Sequence, residues 1–524
     1  YFDLTGDGDF VDSNEDVSTY LKKAKIQIGM AQAFDRMGRS NTMEATLSNV
    51  LKKFSPEHAN VLTGFGQGTV AKLTMTYDGT TKTRYIGRIS PEGISPEPGL
   101  YRGRETEIRC DGLFRELMRE NVSISTQENI STNALALMVL ERSRIVPIGY
   151  TGMRVDVVGA SEVNTAVVQD VANYCNFDTG VHTFDIVADN WPAEISVFNA
   201  LKRITEAEWG RCFEDRDGTI RFWNRHRTYK DYANAVDWTL NNAREMDYKW
   251  GGNVIKRTEV TFHARKIDDS TQIVAQLDNK PEFLGRGAAI KKGKGWSAFQ
   301  LKLRSPAGTN IGVRSLIKPV PHIDYRAFSS YRLEQGRADA EITDQVSILA
   351  DIVPGGVRWT VVSNFLGLGK IFPARGNPSG AVQRGTRIID YGTDIRRTFN
   401  TSAKEGDPIK VDLAGGTSEE AQYLADGILF ERSAITGAVK KLGFWANSSH
   451  SFMVMTRDAE IGDSLTTTEA QTGHSRRYII VGRIDNYDKG HKHYVEFILE
   501  PAPPPVLLVG ITGYSEVNTA VVGF

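Results

Sequence analysis

The sequence has few cysteines, no long apolar run and almost no excess of either charge. Its three cysteines are Cys110, Cys175 and Cys212. An odd number at wide spacing argues against a disulfide framework and a zinc site, and buried reduced thiols are the expected state. No stretch approaches the roughly 18 apolar residues of a membrane span, and no signal peptide is visible. The chain opens on Tyr1-Phe2 without methionine, which reads as a processed or partial chain. Lys and Arg number 63 against 64 for Asp and Glu, a formal net charge of -1. A duplex-binding protein usually carries a basic excess, because phosphate neutralisation supplies much of its affinity. Without that excess, specific nucleic-acid binding is not expected. The local run Lys291, Lys292, Lys294, Lys302 and Arg304 reads as a solvated face or a subunit contact.

What is present is a chain of 524 residues, 40% hydrophobic and 24% charged, long enough for three or four ordinary soluble domains. Such a length buries ample apolar surface without staples. Period-2 alternation dominates the first hundred residues. Ala24, Ile26 and Ile28, then Met43, Ala45 and Leu47, then Leu73, Met75 and Tyr77 each mark a half-buried strand. Asp78-Gly79 is a hairpin turn signal, with a strand at 84–89 to follow. Two short helices are expected at 113–119 and 132–141. Residues 144–170 look extended, an arm or excursion.

The clearest helix spans 192–209, with Pro192 in its first turn, Ile195, Phe198, Leu201 and Ile204 as its apolar stripe, and Gly210 as its stop. A hairpin follows, turned at Asp215-Arg216-Asp217-Gly218. A strand is expected at 254–265, then glycine- and lysine-rich loops around short strands over 266–310, then strands and glycine-rich turns over 325–420. A second helix starts at the capping pair Thr417 and Glu420, with Tyr423, Leu424, Ile428 and Leu429 buried. Strands at 439–445, 452–456, 478–484 and 493–499 close the fold, and Pro501 to Pro505 stiffen an exit. Trp191, Trp209, Trp223 and Trp445 read as buried. The class is mainly β with inserted α/β elements.

One internal repeat has no bland composition to explain it. Ser-Glu-Val-Asn-Thr-Ala-Val-Val at 161–168 recurs at 515–522, with Gly159 and Gly513 two residues ahead of each copy. The spacing is too long for a solenoid. Both copies favour an extended strand, and two arms that each add a strand to an exposed sheet edge are expected, the alternative being a local duplication with no shared role.

Chemical motifs are weak. Asp3, Asp7 and Asp9 open like a calcium loop, but position 12 is Asn14 and Glu15 comes one residue late, so a polar turn is the better reading. Gly64, Gly66 and Gly68 fit neither dinucleotide nor phosphate-loop spacing. His491 and His493 could share a strand face without an accompanying ligand cluster. Glu214, Asp215 and Asp217 could be imagined as hydrolytic carboxylates, yet a hairpin tip should leave them solvated. No nucleophile elbow or zinc-protease motif is present. No catalytic, cofactor or metal residue is assigned, and an enzyme is not expected.

Four ordered segments resemble the hub or minor tail proteins of long-tailed phages. They are Asp7-Gly8-Asp9-Phe10 with Glu15-Asp16-Val17 and Phe34-Asp35-Arg36; residues 45–49 with Phe54-Ser55-Pro56; the helix and hairpin of 198–225; and residues 477–484 with 494–499. The resemblance implies two tube-like β-barrels with inserted α/β domains. They would form a homotrimeric ring in the virion, at the tail tip or baseplate. The ring would join the tail tube or distal tail protein and the tape-measure protein to tip or fibre proteins, and pass DNA through a lumen expected to be acidic or neutral. The expected division is a hub barrel at 1–143, the arm at 144–170, an α/β domain at 171–265, a second β-rich domain at 266–416, a helix with a C-terminal barrel at 417–505, and an arm at 506–524. A carbohydrate-binding tail module is the alternative, and a cell-wall hydrolase stands behind it.

Overall fold

The computed structural model describes residues 1–98, 104–143, 175–189, 191, 194–227, 237–241, 243–251, 254–277, 282–284, 295–303, 311–329, 340–353, 356–364, 369–371, 381–401, 406, 408–433, 436–489, 492–503, 506–507 and 521–522. Both copies of the repeat, Pro192, Lys291, Lys292, Lys294, Arg304 and His491 lie outside these residues, except that Val521–Val522 pairs in parallel with Val506–Leu507.

Strands from both ends of the chain share one sheet of 12 strands. The N-terminal strands are β1 (Phe2–Asp3), β2 (Leu21–Gly29), β3 (Thr42–Ser48), β4 (Val70–Tyr77), β5 (Thr80–Pro96) and β6 (Glu105–Asp111). Alternation does what it should. Ala24, Ile26, Ile28, Met43, Leu47, Ile108 and Cys110 turn to one side and are buried. Asp78 and Gly79 join β4 to β5 with φ of 50° and 71°, the two left-handed residues that a tight hairpin of matching twist requires.

Two helices follow where expected, α1 (Leu113–Leu117) and α2 (Thr132–Glu141). The next helix, α3 (Val197–Glu208), starts later than residue 192, because Ser196 caps it by accepting a bond from Asn199 N at 3.2 Å. Ile195 therefore lies in a short strand ahead of it. At its other end Trp209, not Gly210, takes the left-handed conformation, and Gly210 N returns to Thr205 O at 3.2 Å. Strands β7 (Arg211–Glu214) and β8 (Ile220–Trp223) form the expected hairpin.

The middle of the chain supplies β9 (Asp237–Asn241) and β10 (Glu245–Trp250), three residues apart, which join the large sheet. A second, seven-stranded sheet is organised by β11 (Arg257–Gln276) pairing with β12 (Val382–Phe399), with β13 (Ile409–Leu413) alongside. The expected end of a strand at 265 is thus corrected. The turn-like polar residues after Asp268 are absorbed as an irregularity in register between Asp268 and Gln272, and the strand continues.

Helix α4 (Ser418–Arg432) begins with a complete capping box between Thr417 and Glu420. It buries Leu424 and Ile428, but Tyr423 is 65% exposed. Its Tyr423 position falls on the flank away from β11 and β12, off the stripe that Ala421, Leu424, Ala425 and Ile428 define. The last elements are β14 (Gly437–Trp445), α5 (His450–Asp458), β15 (Ser464–Glu469), β16 (His474–Asp488) and β17 (Lys492–Pro501). Residues 452–456, expected as a strand, are helical. Ser449 accepts from Phe452 N at 3.1 Å and nucleates the turn, which places Met455 and Thr456 inward together.

Candidate functional site

The broadest functional surface is the polar face of the large sheet. Neighbouring strands run β6, β3, β2, β16, β17 and β14, and their registers line residues up in rows. One row reads Arg109, Glu44, Lys25, Asn486, Tyr494, Trp445. The next reads Glu107, Thr46, Lys23, Asp488, Lys492, and a third Asp111, Thr42, Gln27, Ile484, Glu496, Gly443. Acids and bases alternate across these strands, so the face is polar and close to neutral. Opposite charges directly across a strand pair also favour this register over a slip. Much of the face lines a cleft of about 590 Å³. There Trp445 packs edge-on to Tyr494, ring centres 5.0 Å apart, and Arg244 lies 5.2 Å from the Trp445 ring. Trp445 is half-buried, unlike the buried Trp191, Trp209 and Trp223.

The opposite side of the same strands is apolar except where the two halves meet. There Asp485 and Arg483 of β16 face inward. Arg84 donates to Asp485 at 3.1 Å and Arg483 donates at 2.9 Å. Burial alone would raise the Asp485 carboxyl, but the Arg483 and Arg84 guanidiniums hold it far below the usual carboxylate range. A buried charge cluster of this kind is costly to assemble and more costly to break. It separates the core around Phe54, Tyr85 and Ile108 from the core around Phe444, Phe497 and Leu465.

A second junction binds the α3 hairpin to the sheet. The loop between β2 and β3 carries it. Gly38 N donates to Cys212 O at 2.7 Å, and Asn41 Nδ2 donates to Glu214 O and Asp215 O at 3.0 Å each. A Cβ on Gly38 would lie 2.7 Å from Phe213 Cβ, so the close approach needs glycine. Arg36 lies 4.2 Å from the Trp209 ring and 3.4 Å from Glu431, while Phe34 N donates to Glu500 at 2.9 Å. The Phe34-Asp35-Arg36 segment therefore holds three parts of the chain together.

The hairpin carboxylates are not the solvated tip that the sequence suggested. Glu214 is fully buried, accepting from Leu113 N at 2.9 Å and Phe114 N at 3.5 Å. Burial pushes its carboxyl up to about 8. Asp215 is buried, pairs with Arg221 at 2.8 Å and accepts from Arg216 N at 2.7 Å, and exposed Asp217 accepts from Thr219 N within the turn at 3.1 Å. The hairpin is docked against the start of α1, which the local sequence could not reveal. A raised carboxyl is one ingredient of acid catalysis, yet Glu214 lines neither large cleft. Glu208, which sequence reasoning missed, is also fully buried and accepts from Thr132 Oγ1 at 2.7 Å and His182 N at 3.0 Å, tying α3 to α2. Its signal was a lone acid at a buried helical spacing.

The N-terminal acids are spent on backbone. Asp3 accepts from Gly6 N at 2.6 Å and Gly8 N at 3.0 Å, and buried Glu15 accepts from Leu4 N at 2.9 Å and Asp12 N at 3.1 Å. Gly64, Gly66 and Gly68 lie in the loop before β4. His493 lies 3.8 Å from Asp485, beside the buried arginines. Among the described residues there is no group of three or more His, Cys, Asp or Glu suited to a metal ion, and no helix is long and apolar enough to cross a membrane. The cysteines are free, and burial pushes the Cys212 thiol up to about 12.

No protein-family model matches the chain, and no curated protein matches its sequence. Solved structures do resemble it along most of its length. A tail protein from Neisseria meningitidis is 9% identical, with 92% of each chain covered and a TM-score of 0.44. The 43 kDa tail protein of prophage MuSo2 from Shewanella oneidensis is 8% identical, covering 91% of this chain and 94% of that one, with a TM-score of 0.44. An Escherichia coli component of the type VI secretion system, described as structurally similar to the T4 tail proteins gp27 and gp5, is 8% identical over 93% of this chain and 78% of its own, with a TM-score of 0.35. The chain is similar to phage tail and tail-like proteins.

Proposed function

We propose that the chain is a structural subunit of a phage tail tip or baseplate hub. Three copies form a ring that joins the tail tube or distal tail protein to tip and fibre proteins and lets DNA pass. The observation that carries this reading is the single sheet woven from both ends of the chain, with its broad, charge-balanced polar face. On this reading each half of that sheet would serve as one lobe of the tube wall, so three copies would supply six lobes. A lumen lined by the rows through Lys25 and Asn486 would let a polyanion slide without gripping it, since binding along a nucleic acid needs a basic surface. The ordered resemblance of Asp7–Phe10, Phe34–Arg36, the 198–225 unit and the closing strands supports the same assignment. The role is assembly, not catalysis.

Electron microscopy and light scattering test it. A three-copy ring with the β2, β3 and β16 polar face inward is expected; a stable monomer at high concentration, or that face turned outward, overturns it. One observation favours a second reading, a carbohydrate-binding tail module: Trp445 and Tyr494 stand in an open polar cleft. Titration with cell-wall oligosaccharides, read by tryptophan fluorescence and compared with Trp445→Ala, decides between them.

A further inference from the structure

Val320, Pro321, His322 and Ile323 make a tight turn, closed by Ile323 N donating to Val320 O at 3.3 Å. Pro321 suits the second place of such a turn. His322 holds the third place with φ of 64°, a left-handed conformation that favours glycine or asparagine. The turn alone does not call for histidine, but the ring is held by what surrounds it. Nδ1 lies 3.0 Å from Glu341 Oε1, and Nε2 lies 2.9 Å from Asp344 Oδ1. Both carboxylates come from outside the turn. Glu341 forms a β-bridge with Phe328, and Asp344 belongs to the single helical turn Thr343–Gln345. An ionised carboxylate only accepts, so both bonds exist together only when both ring nitrogens carry protons.

We propose that His322 is a proton-operated clamp on the loop of residues 317–326. Charged, the ring ties that loop to Glu341 and Asp344 at once; neutral, it can donate to only one of them, and the loop loosens. Among the described residues, the charged groups around the ring favour this. The bond to Asp344, and then Glu341, raise the His322 pKa against an opposing desolvation. Glu341 is itself held in place, since Thr343 Oγ1 donates to it at 2.9 Å and Arg326 lies 3.8 Å away. Behind the turn, buried Asp324 accepts from Val320 N at 2.8 Å and pairs with Arg384 at 2.8 Å, which braces the base of the loop in either state of the ring. A histidine whose pKa is raised by folding gives its stabilisation in full below the unfolded value of about 6.5, and loses it as pH rises through the folded value. The clamp is therefore closed at mildly acidic pH and opens on the alkaline side. What it holds is apolar: Ile317, Val320 and Ile323 are 42%, 42% and 56% exposed, and a pinned turn keeps them in solvent. The clamp needs no tail assembly in order to work.

Hydrogen–deuterium exchange on the full chain tests it with two readouts. The slow exchange of the His322 ring C–H, followed by mass spectrometry across pH, reports the ring's own titration. It should lie above about 6.5 and fall toward that value in Asp344→Asn. Backbone exchange of residues 317–326, corrected for the intrinsic rate, should rise about threefold or more between about pH 6 and about pH 9. His322→Gly suits the left-handed turn and should fold; its loop should exchange fast at both pH values. A ring that titrates at or below about 6.5 overturns the clamp. So does the absence of a rise in the wild type, or an equal rise in His322→Gly. A loop that stays protected in His322→Gly overturns it as well.

Discussion

The C-terminal half of the large sheet has both flanks occupied by one short piece of chain. Strand β9 runs parallel to β15, and β10, three residues later, runs antiparallel to β14. Trp238, Met246 and Tyr248 from that piece pack onto the core of Phe444, Phe497 and Leu465. The N-terminal half has the same alternation and a comparable core, but among the described residues no strand from the middle of the sequence flanks it, and a cleft of about 490 Å³ stands beside β4. The difference teaches that alternation makes a sheet and leaves its margins undecided. A margin is settled by whichever segment happens to be long enough and close enough, and for the C-terminal half that segment comes from the middle of the sequence.

Breaking the boundary between the halves should have the largest effect. Asp485→Ala leaves Arg84 and Arg483 buried without their carboxylate, and the expected loss is about 3–5 kcal/mol, read from urea unfolding. A conservative Asp485→Asn should recover only part of it, because the charge is what the two arginines need.

Truncation on the two sides should then separate them. Phe497→Ala, in the flanked half, is expected to cost about 3–5 kcal/mol. Met75→Ala, beside the open cleft, should cost less than about 1 kcal/mol, since its side chain is already partly in water. Equal losses would mean that the N-terminal margin is as well packed as the other.

The junction that holds the hairpin to the N-terminal half should respond to pH. Glu214 titrates near 8 in the folded chain, above its unfolded value of about 4.3. Its proton is therefore held more tightly by the native state. Stability from this group is fully present below the unfolded value and is lost as pH rises toward 8, by up to about 1.4 kcal/mol per pH unit. Glu214→Gln, which cannot ionise, should flatten the stability profile between pH 5 and 8. An unchanged slope would show that the carboxyl is ionised throughout.

A small, pH-independent effect outside the large sheet serves as its reference. Thr417→Ala removes the cap that accepts from Glu420 N at 3.2 Å and should cost about 1 kcal/mol, at any pH from 5 to 8.

Strand alternation in the first hundred residues, the Asp78-Gly79 hairpin, the extent of α2 and the capping box at Thr417 were legible because each depends on residues within a few positions of one another. Local signals also misled where two periods overlap. Phe452 and Val454 read as alternation, while the Ser449 cap makes the segment a helix. The candidate surfaces were less legible. Nothing local places Arg109, Glu44, Lys25 and Asn486 in one row, since they lie on four strands from opposite ends of the chain. Nor does the hairpin sequence announce that Glu214 will be buried under the start of α1, a hundred residues earlier.

By itself, then, the sequence determined the strand-rich class, the balanced charge and the starts of α1, α2 and α4, because propensity, alternation and capping act over a few residues. Only the tertiary structure decided which strands are neighbours, that Asp485 and Arg483 are ions inside a core, and that Glu214 is buried under the start of α1. Those depend on which distant segments reach one another, and on the burial that raises or suppresses a charge once they do.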